Sequence, residues 1–172
     1  MMAVAKFLLA GAAALSALPA LAIEPVAGGA WVVSQETDSF TDKTTVTASA
    51  KGKFGQLAVM LHCDQKRELG FVVLGLEGSL GGEFKASGIK RVPLDFRSDA
   101  KPAHTFTLMG KGRFAFLSPD DDGFSVLLSE IPDARQKIIV RSIALNGSIL
   151  SDELSTAGSR AAFTKVKQSC GS

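Results

Sequence analysis

Seven residues, LAVMLHC at 57–63, constrain this chain more than any other stretch. Leu57, Val59, Leu61 and Cys63 fall on one side of a period-two pattern, with Ala58, Met60 and His62 on the other. Side chains alternate across a strand, so each set shares one face. The period recurs. KTTVTASA (43–50) sets Val46, Ala48 and Ala50 against Thr45, Thr47 and Ser49. RVPLDFRS (91–98) sets Val92, Leu94 and Phe96 against Arg91, Pro93, Asp95 and Arg97. WVVSQE (31–36), ELGFVVLG (68–75), HTFTLM (104–109), RFAFL (113–117) and QKIIVRSIAL (136–145) have the β-branched and aromatic composition of strands. Gly-rich punctuation separates them, and GKG (110–112) between two of them reads as a hairpin turn. Short strands with turn signals every 8–12 residues or so predict an antiparallel β-sandwich or barrel.

Two segments carry the helical period instead. GFSVLLSEIPD (123–133) spaces Phe124, Leu127, Leu128 and Ile131 along one helix face and is expected to end at Pro132. SRAAFTKVKQSC (159–170) aligns Ala162, Phe163, Val166 and Cys170, with Ser159 as candidate N-cap and Lys165 and Lys167 near the C-terminus, where cations suit the dipole.

The first residues, MMAVAKFLLAGAAALSALPALAIEP, hold one cation, Lys6, then an apolar run broken by Pro19 and a small-residue site at Ala20-Leu21-Ala22. This reads as a secretory signal peptide, 1–22, cleaved after Ala22. The competing reading is a membrane anchor, but the run is shorter than the roughly 20 apolar residues of a spanning helix. No later segment is long and apolar enough to span a bilayer. Residues 23–172 are expected to form a single β-rich domain, exported to the periplasm or secreted. Their charge is nearly balanced, at 18 Lys+Arg against 17 Asp+Glu, which argues against a nucleic-acid partner. With one Trp, no Tyr and 11 Phe, the aromatics favour core packing over sugar or base stacking.

Export bears on the two cysteines. In an oxidising compartment Cys63 and Cys170 are most simply one disulfide. The alternatives are free thiols or an intermolecular bridge. An internal bridge closes a loop of about 107 residues, for which chain entropy gives about 4–5 kcal/mol. It would tie the last turn of the terminal helix, which otherwise frays, to the inward face of the strand 57–63.

Recognisable chemistry is sparse. His62 points away from Cys63 on its strand, and His104 shares a face with Phe106 and Leu108, so neither reads as a metal ligand. Asp120, Asp121 and Asp122 precede Gly123 without the alternating spacing of a calcium loop, and read as a turn. SGIK (87–90) matches Ser-x-x-Lys but lies in a Gly-flanked loop without the partner motifs of that chemistry. No catalytic residues, metal or cofactor are expected.

The order of these features is that of a known family. A Trp-x-Val-Ser opening strand is followed by the turn DSFTD and a second alternating strand. Next come a strand ending in Cys, a polar turn with Lys, another strand, and a closing helix that ends in Cys. On Trp31, Ser34, Asp42, Cys63, Lys66, Glu68 and Cys170 the chain resembles the type VI secretion-associated VasI/TagO family. The segments 75–122 and 148–160 lie outside the resemblance. It implies a small envelope protein of β-sandwich character, with an accessory or binding role and no active site to carry over.

The expected fold is therefore a mainly β antiparallel sandwich with a C-terminal helix stapled by Cys63–Cys170. The expected function is non-enzymatic: a binding or accessory protein with an envelope protein partner, in the setting of a secretion system. Trp31, Ser34, Asp42, Lys66 and Glu68 are its candidate binding residues. The alternatives are a cell-wall-acting enzyme or inhibitor, cued by the histidines and Ser-x-x-Lys, and a small-ligand carrier, cued by Phe106, Phe114 and Phe116.

Overall fold

The computed structural model describes residues 22–25, 29–76, 80 and 90–171. The rest of the expected signal peptide, residues 1–21, and Ser87 of the Ser-x-x-Lys match lie outside the described residues. The strands are β1 (Ala22–Pro25), β2 (Trp31–Thr37), β3 (Thr44–Lys51), β4 (Leu57–Cys63), β5 (Leu69–Gly75), β6 (Lys90–Ser98), β7 (His104–Lys111), β8 (Phe114–Leu117), β9 (Ile138–Ile143) and β10 (Ile149–Leu154). The helices are α1 (Asp122–Asp133) and α2 (Ser159–Cys170). Every strand expected from sequence is present, with ends within two residues of those expected. β1 and β10 are additional.

All ten strands form one antiparallel sheet, ordered β1-β2-β3-β4-β5-β8-β7-β6-β9-β10. The two layers of the expected sandwich are two halves of this sheet, which curls until β10 meets the β3–β4 turn. Leu61 of β4, Leu94 and Phe96 of β6, Val140 of β9 and Leu154 of β10 all join one buried core. Helix α2 lies across β2, β3 and β4 and also packs on α1. Its buried face is Ala162, Phe163, Val166 and Cys170, joined by Ser159. Phe163 meets Trp31 edge-on, with ring centroids 5.3 Å apart. Cys170 is bonded to Cys63 with a Cα–Cα distance of 5.6 Å. The terminal helix is stapled as expected.

Asp152 closes the curl. It sits at an inward position of β10 between Leu150 and Leu154 and is 1% exposed. Its carboxylate accepts the amides of Phe54 (2.8 Å), Gln56 (2.8 Å) and Leu57 (3.0 Å) across the sheet, and that of Glu153 (3.0 Å). A side chain at Gly52 would collide with this carboxylate, so glycine is what lets the turn approach. Lys53 N–H donates to the Glu153 carbonyl (2.9 Å), and Ser151 N–H donates to Gln56 Oε1 (2.8 Å). The edge of β10 is thus covered by the β3–β4 turn rather than left open.

Two details of the helices differ from expectation. Ser159 is not the N-cap of α2. Gly158 takes that place in a left-handed conformation (φ 86°), and the Ser159 hydroxyl lies close to the carbonyls of Thr156 (2.9 Å) and Ile131 (3.2 Å). The hydroxyl therefore ties α2 to the end of α1. Helix α1 runs one residue past Pro132, because a proline in the last turn forfeits only one hydrogen bond there.

Candidate functional site

Two hairpin turns share one rim of the sheet, and both are organised by an aspartate. In the β2–β3 turn, Asp38 Oδ1 accepts the amides of Phe40 (2.8 Å) and Thr41 (3.0 Å). The Asp38 carbonyl accepts Asp42 N–H (2.9 Å), and Asp38 N–H donates to the Lys43 carbonyl (2.9 Å). In the β4–β5 turn, Asp64 Oδ1 accepts the amides of Lys66 and Glu68, both at 2.8 Å. Each turn spends one non-glycine residue in the left-handed region: Asp42 at φ 53° and Arg67 at φ 65°. Aspartate suits the first place of each turn, Asp38 and Asp64, because its carboxylate can cap the backbone of the residues that follow.

The amides of Phe40 and then Thr41 hold the Asp38 carboxyl below the ordinary carboxylate range. For Asp64 the Glu68 amide is the largest cause; the Lys66 amide, His62 and Lys66 act in the same direction against partial burial. Both turns are therefore ordered by ionised carboxylates at neutral pH.

Phe40 is the most exposed large apolar side chain among the described residues, at 97%. It stands on a turn that hydrogen bonds hold in place. A groove of 370 Å³ beneath it is lined by Glu36, Asp38, Phe40, Thr45 and Gln65 among others. A second groove of 370 Å³ shares Gln65 and is lined by Asp42, Lys43, Asp64, Arg67 and Ser169. Ser169 precedes Cys170, and Asp64 follows Cys63, so the disulfide fastens the floor between the β4–β5 turn and α2.

Three of the candidate binding residues come together here. Asp42 lines the second groove, while Lys66 and Glu68 are exposed in the β4–β5 turn. Trp31 does not join them. It is fully buried at the other end of β2, and its Nε1–H donates to the Ser155 carbonyl (2.8 Å). Ser34 is half-buried on β2 opposite Thr47. Phe40, Asp38, Asp64 and Gln65 were not singled out from sequence. The one available signal was a phenylalanine inside the polar turn DSFTD, a place where burial is not expected.

The other sequence cues resolve into packing. His62 is half-buried with its ring over Gly70, where any side chain would collide with it. Burial lowers its pKa, partly offset by Asp64. His104 stacks on Phe106 with centroids 5.8 Å apart and lies 3.3 Å from Glu130 Oε1. Ser98, fully buried, donates its hydroxyl to the other oxygen of Glu130. Glu130 thus stands between serine and histidine, whereas a hydrolytic triad needs histidine on the serine. The cluster anchors α1 to the β6–β7 end. Asp121 accepts Ser118 N–H (2.7 Å) in the turn before α1. Phe114 and Phe116 alternate with the buried Ala115 and Leu117 and face outward, away from Phe106. Among the described residues, no group of three or more His, Cys, Asp or Glu side chains is placed to hold a metal ion. No described helix is long and apolar enough to cross a membrane.

No protein-family model matches the chain, and no curated protein matches it in sequence. A solved structure does resemble it: invasion associated protein B from Bartonella henselae. The TM-score is 0.51 at 10% identity, over 84% of this chain and 94% of that one. The likeness is one of fold. At that identity it carries over no residue and no activity.

Proposed function

We propose that this chain is an exported, non-enzymatic binding protein, accessory to an envelope secretion apparatus, that grips a protein partner with the rim bearing Phe40. One observation carries the reading: a phenylalanine that is 97% exposed on a turn already ordered by Asp38. A large aromatic held in place without a partner loses little conformational entropy on binding, which is the economy of an interface anchor. The grooves beside it bring polar and charged groups of both signs, suited to a polar interface margin. Further support comes from the expected signal peptide, the disulfide, and the VasI/TagO motif residues Asp42, Lys66 and Glu68 on this rim. A fold shared with a protein named as invasion associated is compatible with such a role.

The test is in-cell cross-linking of a tagged copy, followed by mass spectrometry of what it captures. Secretion-apparatus or other envelope proteins should be enriched with the natural sequence, lost with Phe40→Ala and kept with Thr107→Ala, at an exposed site in the middle of β7. Recovery of the protein alone, or capture indifferent to Phe40, would sink the reading.

A further inference from the structure

The opposite rim has a different character. Seven large apolar side chains are exposed among the described residues, and six of them lie there: Phe54, Met109, Phe116, Ile143, Leu145 and Ile149. The register places them together. Lys51 pairs with Ala58, Ala58 with Leu74, Leu74 with Phe114, and Phe114 with Lys111. One row inward, Val72 pairs with Phe116, Phe116 with Met109, and Met109 with Arg91. Leu94 then pairs with Ser142, and Ile143 with Ile149, which brings in the β9–β10 turn.

Cations outnumber carboxylates on this rim. The chain between Leu76 and Lys90, which joins β5 to β6, brings Glu77, Glu83 and Lys85, and Asp95, which borders a groove with Ile143 and Ile149, is paired with Arg141 at 2.6 Å. The segments 51–57, 73–76, 90–93, 109–116 and 143–150 hold Lys51, Lys53, Lys90, Arg91, Lys111 and Arg113, all exposed, and no Asp or Glu. The turns 36–43 and 64–68 on the Phe40 rim hold five carboxylates and three cations. A chain of net charge +2 thus segregates its charges between two ends.

We propose that the described β3–β4, β7–β8 and β9–β10 rim docks on an anionic lipid surface, leaving the Phe40 rim directed away from it. The occupant must be anionic over most of its face, because six exposed cations on these turns outnumber the carboxylates near them. It must also take up apolar side chains that are dispersed among the cations. Lys53 Nζ stands 5.7 Å from the Phe54 ring centroid, and the Phe114 and Phe116 rings stack at 6.1 Å. A protein partner is usually held by apolar anchors gathered in one desolvated patch. A bilayer surface instead offers anionic headgroups above an apolar layer at every point of contact, which suits cations and apolar groups interleaved over several turns.

The test is co-sedimentation of the full chain with vesicles of phosphatidylcholine alone, or with about a quarter phosphatidylglycerol. The N-terminal run with Lys6 is identical in every variant, so the fall in anionic preference on substituting rim cations reports the rim. That preference should be about a hundredfold or more at low salt and should fade towards about 0.5 M salt. Lys53→Gln, Lys90→Gln and Arg113→Gln should each lower it about fivefold. All three sites are exposed, so folding is retained, and an unchanged circular dichroism spectrum checks this. Phe116→Ala should weaken binding, and Phe40→Ala should not. Equal binding to both vesicle types, or a preference that survives the triple substitution, overturns the proposal. So does concentration-dependent self-association lost with Phe116→Ala in a chain that ignores anionic vesicles, since a second copy would then cover this rim.

Discussion

Asp152 is a buried carboxylate whose hydrogen-bond partners are backbone amides, three of them on the far side of the closure. Hydrogen bonds to a charged group are worth about 1.5–3 kcal/mol each, and removing the acceptor also leaves buried donors unpaired. Asp152→Ala should therefore cost about 3–5 kcal/mol, read from urea unfolding. A loss below about 1 kcal/mol would mean that the closure is held by apolar packing instead. Arg67 offers the opposite kind of test. It holds the left-handed place in its turn, as Gly147 does at φ 82° in the β9–β10 turn. Arg67→Gly should stabilise the fold by about 0.5–1 kcal/mol, since glycine reaches that conformation freely. His62 sets a pH dependence. Burial lowers its folded-state pKa below the unfolded value, so below about pH 6.5 the unfolded chain takes up the proton more readily. Its contribution is complete above that pH and is lost as pH falls through the depressed value. The natural chain should lose more stability than His62→Gln between about pH 7.5 and pH 5.

At the scale of elements, α2 depends on both its apolar face and its bond. Its four aligned buried residues pack on β2, β3 and β4, but the last turn is held by Cys170, itself 9% exposed. Reduction should release the C-terminal turn first. Amide exchange should rise at 167–170 while the backbone near Phe163 stays protected, and the urea midpoint should fall by the equivalent of about 4–5 kcal/mol at most. Uniform deprotection of α2 would show instead that the helix docks only because it is tethered. The helical period and the closing cysteine made this element legible in the sequence. Strand β10 was not legible, because Leu150, Asp152 and Leu154 alternate as a strand should but place a charge at the centre of the inward face. An acidic residue there reads as a loop until the amides that satisfy it are in view.

For the whole molecule, charge and exposed apolar surface divide between rims rather than between layers. Turns on one rim are tightened by Asp38 and Asp64; those on the other gather cations and exposed apolar groups. Acid should act on the first rim late. The Phe40 and Thr41 amide resonances should hold their positions until the pH falls below the ordinary carboxylate range near 3.9, because the folded-state pKa of Asp38 is depressed. An earlier shift would show that the turn is not ordered by the ionised carboxylate.

The sequence by itself determined the strands that alternate, both helices, and the means of fastening the last one. Each of these is written in a local period or in a pair of like residues, and local pattern decides them. Trp31, the most conspicuous of the motif residues, proved to be core, since a single large aromatic reads the same whether it binds or packs. The curling of one sheet into two facing halves, its closure by Asp152, and the sorting of charge between two rims belong to tertiary structure alone. They depend on residues about 95 to 98 positions apart meeting across the fold, and no period in the chain records that distance.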